Sequence, residues 1–276
     1  MIKLPKGLVV KGLVVGVAMA FPLLAQASVG GAGMLGGRHD FATRSMFMAA
    51  QTATAGVGTN QVGLCTYCHT PHQAQTTSLL WNRLPATQSY NWDETLTTGG
   101  TTYASIAPTY KGASVKCLAC HDGVVSIGDA GVYKQGARTG AATLNTYKVG
   151  DSGGKSLLNM IGSGGNMAGN HPIGMPYPLG NAANTYNSIT TGSNVTLAEW
   201  VATPTVSAPL ANGVKLYQDN GGGVITAGTA AGKTGMECSS CHDVHNKSSN
   251  DDLMLRGKLN GSTQADGYIC LQCHVK

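Results

Sequence analysis

The 8 cysteines of this 276-residue chain fall into one repeated pattern, Cys-x-x-Cys-His. It occurs at Cys65, Cys68 and His69; at Cys117, Cys120 and His121; at Cys238, Cys241 and His242; and at Cys270, Cys273 and His274. Two thiols three positions apart can reach the two vinyl groups of one porphyrin, and a histidine directly after the second thiol then lies beneath the iron. That is the spacing of c-type haem attachment. The rival chemistry is zinc, because two Cys-x-x-Cys pairs can make a four-thiolate site. Zinc needs no histidine after each second cysteine, yet all four motifs carry one. The residues therefore point to four covalently held haem c groups, with no cysteine left over for a disulfide.

On this reading His69, His121, His242 and His274 are proximal iron ligands, and the sixth position of each iron decides the chemistry. A filled position favours electron transfer, and an open one permits ligand binding or catalysis. Four further histidines, His39, His72, His171 and His245, are candidates for the sixth positions. His72 and His245 each follow their motif histidine by three residues. Three residues span at most about 10 Å, too little to pass around the porphyrin and return to the same iron. They are expected to serve neighbouring haems, which would then lie nearly in contact. Methionines such as Met175 and Met254 are the competing ligands and would raise the potential. Bis-histidine closure gives low potentials and an electron carrier with no catalytic residue. Multihaem reductases often have lysine in place of one proximal histidine, and no Cys-x-x-Cys-Lys occurs here. A multihaem oxidoreductase stands as the alternative.

The chain around these residues is polar and glycine-rich: Gly 39, Phe 3, aromatics 6% and charged residues 11%. Such a chain buries little apolar surface on its own. The expected fold is therefore a haem-templated multihaem cytochrome c, mostly coil with short helices and few short strands. A short helix over Val195 to Ala202, capped by Asn194, and helical turns at the haem motifs are the regular structure expected. Successive motifs start 52, 121 and 32 residues apart. This spacing reads as a haem pair over 39–123, an intervening module over 124–237 and a second haem pair over 238–276, or equally as one continuous unit over 28–276.

Residues 1–27 read as a signal peptide: Lys3, Lys6 and Lys11, an apolar run from Gly12 to Leu24, then Ala25-Gln26-Ala27 as the cleavage site. The run is short for a membrane span of about 20 residues. Secretion is expected, to the cell exterior or surface, with the periplasm as the alternative, and without membrane embedding. The formal charge of +5 includes those three lysines, leaving 15 basic residues against 13 acidic. Haem propionates would turn the holoprotein mildly acidic, so no nucleic-acid partner is implied.

Certain strings also resemble a known family. They are His39-Asp40, Cys65-Thr-Tyr-Cys-His-Thr-Pro-His72, Cys117-Leu-Ala-Cys-His-Asp-Gly123, Asn170-His171-Pro172 and Cys270-Leu-Gln-Cys-His274. They are similar to secreted tetrahaem cytochromes of the outer-membrane cytochrome E type, which polymerise into extracellular nanowires. The resemblance implies stacked bis-histidine haems running through the subunit, little regular secondary structure, and redox partner cytochromes. It also implies a head-to-tail homopolymer in which one subunit lends a histidine to the next, with His39 the candidate for that loan. Such a contact does not close on itself and so generates a filament.

Overall fold

Regular structure is sparse because few segments carry a hydrophobic period. The computed structural model describes residues 33–34, 39–40, 65, 67–70, 74, 78–83, 86–124, 161–204, 213–245 and 253–275. The expected signal peptide and His72 lie outside them. The described helices are α1 (Ser114–His121) and α2 (Cys238–Cys241). The strands are β1 (Met175–Pro176), β2 (Thr185–Tyr186), β3 (Ile189–Thr190), β4 (Tyr217–Asp219), β5 (Ile225–Ala227) and β6 (Thr234–Met236). One antiparallel sheet has the order β1-β6-β4-β5, and β2 with β3 forms a hairpin. Pro176 lies on the edge strand β1, where its missing N–H costs the ladder least. This is a mostly coil fold with few helices and short antiparallel strands. No described helix is long and apolar enough to cross a membrane.

Both helices carry haem-motif cysteines. In α1, Val115, Leu118 and Ala119 are buried, while Cys117, Cys120 and His121 are half-buried on the rest of its surface. The helix stops because Asp122 donates its N–H to the Leu118 carbonyl and Gly123 turns left-handed at φ 71°. Glycine takes that conformation without a Cβ penalty. Cys65 to His69 makes a single turn, with the His69 N–H on the Cys65 carbonyl at 2.8 Å, and Cys270–Gln272 is a 3-10 turn.

The helix expected over Val195 to Ala202 shrinks to one 3-10 turn, Leu197–Glu199, without a side-chain cap. Tertiary pairing overrides local propensity there. Trp200 bridges to His274, the Val201 N–H donates to the Cys273 carbonyl at 2.9 Å, and the Val275 N–H donates to the Glu199 carbonyl at 2.7 Å. The chain must be extended at Trp200 to make those bonds.

Two small apolar clusters form the core. The first joins Tyr90, Ile106, Val115 and Leu118 to Met167 and Ile173. The second joins Tyr177, Leu216 and Met236 to Ile269 and Cys273. The described part of the middle segment thus shares one cluster with the first haem half and the other with the last.

Candidate functional site

The first and third motifs are built alike. Each runs Cys-x-x-Cys-His, departs, and returns an extended segment beside its own histidine: His69 bridges to Trp81, and His242 to Leu255. The returning backbone carries non-glycine residues at positive φ, Leu79 at 60° and Leu80 at 50° in one copy and Met254 at 60° in the other. Such conformations cost free energy and persist only where surrounding contacts determine them. Here they aim carbonyls at the motif. The Thr70 N–H donates to Leu80 and the Asp243 N–H to Met254, at 2.8 and 2.7 Å. His69 Nδ1 donates to the Leu79 carbonyl at 2.7 Å, and His242 Nδ1 to the Leu253 carbonyl at 3.1 Å. A carbonyl can only accept, so the proton sits on Nδ1 and the Nε2 lone pair is left to ligate a metal. His171 is set the same way, Nδ1 donating to the Pro172 carbonyl at 3.0 Å.

The histidines then meet in twos. His39 faces His121 with ring centroids 6.0 Å apart, His69 faces His245 at 6.3 Å with planes 25° apart, and His171 faces His274 at 6.5 Å. These separations are too long for direct ring stacking, and the two imidazoles of each pair would be the residues to hold a haem iron, which would supply one-electron redox chemistry there. Burial and the nearby charges of His121, His242 and His245 push His39 down to about 4. It is therefore neutral at ordinary pH, as a ligand must be. Among the described residues no three His, Cys, Asp or Glu side chains are grouped to hold a metal ion directly.

All 8 cysteines are free. The Cys120 thiol influences Cys68 electrostatically, the Cys117 and Cys238 thiols share a hydrogen bond, and the Cys241 thiol influences Cys273 electrostatically. Burial pushes the Cys68 and Cys273 thiols up to about 12 and Cys241 up to about 11, so they stay protonated.

The decisive feature is the last pair of motifs, α2 with His242 followed closely by Cys270 to His274. Residues 230–276 match the doubled CXXCH motif family. No curated protein is significantly similar to the chain. The doubled CXXCH motif indicates binding of c-type haem and, with it, a multihaem cytochrome that transfers electrons. The residues described above fit that group: paired thiols and histidines set in pairs whose rings could hold an iron between them.

His39 stands against His121 of its own chain. The first and third motifs also share more than was read from the sequence. Arg83 and Arg256 each lie 18 positions after the first cysteine of their motif. Arg83 exerts its charge on Cys68 and Cys120, and Arg256 on Cys241. Aligning the two Cys-x-x-Cys-His-x-x-His strings and reading onward would have found them. Trp200 had no such signal. Its ring lies 4.4 Å from that of His274 and edge-on to Tyr177 at 5.3 Å. Trp200→Ala should cost about 3 kcal/mol, the low end for a large aromatic because the indole is only half-buried. Thermal unfolding of the holoprotein measures it, and a Tm unchanged within a degree or so would contradict the packing role.

Proposed function

We propose that the chain holds four haem c groups, each iron closed by two histidines, and conducts electrons from one motif to the next. The supporting observation is the set of facing pairs His39–His121, His69–His245 and His171–His274. His72 is assigned to the iron of His242 by the repeat: it follows His69 by the same three residues that set His245 after His242. A bound c-type haem supplies reversible one-electron storage at its iron. The chain's own part is to hold Nε2 lone pairs on both sides, keep the ligands neutral and pack consecutive motifs against one another. The Cys117–Cys238 hydrogen bond, which joins the second motif to the third, supports a path between consecutive motifs. Two histidines at each iron fill its sixth position and favour electron transfer, so the protein is read as a carrier.

The finer reading is a secreted subunit of an extracellular filament that exchanges electrons with partner cytochromes. It rests on the resemblance of the motif strings. Pyridine haemochrome titration of the secreted protein should give four haems per chain. The reduced protein should bind no carbon monoxide, since every sixth position is occupied. Fewer haems, or stoichiometric CO binding, would overturn the carrier reading. Negative-stain microscopy of the same sample separates filament from monomer.

A further inference from the structure

Glu237, 1% exposed, is a buried acid that stands directly before Cys238. Both of its oxygens are filled by donors. Oε1 accepts the hydroxyls of Tyr110 and Tyr186, the latter at 2.5 Å. Oε2 accepts the Ser114 N–H at 2.8 Å and the Ser114 hydroxyl at 2.5 Å. The Ser114 oxygen in turn accepts the Cys238 N–H at 2.9 Å, which commits its own proton to the glutamate. The backbone is shaped to admit the group. A Cβ on Gly112 would come within 2.3 Å of Glu237 Oε1, and one on Gly235 within 2.2 Å of the Tyr186 ring. Only glycine leaves the space at those two positions.

This cluster ties the start of α1 to the start of α2, three residues before Cys117 and one before Cys238. Burial pushes the Glu237 carboxyl upward, and the bonds from Ser114, Tyr110 and Tyr186 oppose it. The geometry favours the anion. Four donors occupy the lone-pair sites, one is a main-chain N–H that cannot rotate, and a carboxylate held this way is the acceptor-only form.

We propose that Glu237 is a positioning residue for electron transfer, a fixed buried anion that clamps the second and third motifs together and holds down the reduction potentials at those two motifs. The reason is Coulombic. Reduction removes one positive charge from an iron, so a negative charge sealed nearby in low dielectric favours the oxidised form. No proton or bond changes hands.

The test is redox titration of the holoprotein, with haem content checked first. That check isolates this inference from the proposed function: missing haem would count against the function, and an unmoved potential against Glu237 alone. In Glu237→Gln with full haem content, two reduction steps should become more favourable by about tenfold each, about 59 mV for one electron, and the others should stay in place. Glu237→Asp, which keeps the charge, should stay near the wild type. A merely structural role would lower Tm in both variants and move neither set of potentials. That outcome, or equal shifts in both variants, overturns the proposal. If Glu237→Gln does not accumulate, the wild type still decides. Its three glutamates, Glu94, Glu199 and Glu237, can be carboxyl-labelled with 13C. Redox-difference infrared spectra should show only a perturbed carboxylate; a carboxylic-acid carbonyl from glutamate overturns the assignment.

Discussion

Replacing His245 with alanine should open an iron bound far away in the chain, at Cys65 and Cys68, and leave the haem of its own motif closed. His245 follows His242 by three residues, yet its ring faces His69 at 6.3 Å, with the planes 25° apart. Its backbone is held in a turn after α2, the His245 N–H donating to Asp243 Oδ1 at 3.2 Å. The expected result is a ferric high-spin signal and CO binding at about one haem in four, where the wild type shows neither. A double-mutant cycle identifies the haem. In a Cys65→Ala/Cys68→Ala background the His245→Ala change should add nothing, because the iron it serves is gone. A full high-spin signal from His245→Ala in that background would mean that His245 serves a different iron. In a Cys238→Ala/Cys241→Ala background the signal should persist.

The second large effect concerns the whole fold. A chain with all 8 cysteines changed to alanine, and so without attached haem, should lose its cooperative unfolding transition altogether. The described helices have 8 and 4 residues, and the described strands have two or three. An isolated helix shorter than about 12 residues is marginal in water. The two apolar clusters are small, and Leu79 and Leu80, beside the first motif, are 63% and 48% exposed. Facing histidine rings with centroids 6.0 to 6.5 Å apart do not hold each other in place. Domain stability is only about 5–15 kcal/mol, so removing the group that joins those rings should exceed it. Cofactor binding and folding are then one equilibrium, as in small metal domains. Calorimetry checks this: a sharp heat-absorption peak from the cysteine-free chain would show that the protein part carries its own core.

How much of this was legible in advance differs from residue to residue. The attachment sites could be read directly, because two thiols and a histidine that serve one porphyrin must be close in the chain. The sparse secondary structure also followed from composition. The Leu197–Glu199 turn was overestimated, since the pairing of Trp200 with His274 draws on residues that local propensity does not see. Glu237 gave no signal beyond being one acid among 13. Its importance comes from Ser114, Tyr110 and Tyr186, which only the folded chain brings to it.

The sequence by itself determined the chemistry: covalent c-type haem at Cys-x-x-Cys-His. Only the tertiary structure decided which histidine stands against which, that the Cys117 and Cys238 thiols share a hydrogen bond, and which acid is sealed between the second and third motifs. The physical reason is the range of the constraints. Attachment is set by bond lengths over five consecutive residues, whereas axial pairing is set by how distant segments cross, through turns at Gly123, Leu80 and Met254 and through two small shared cores.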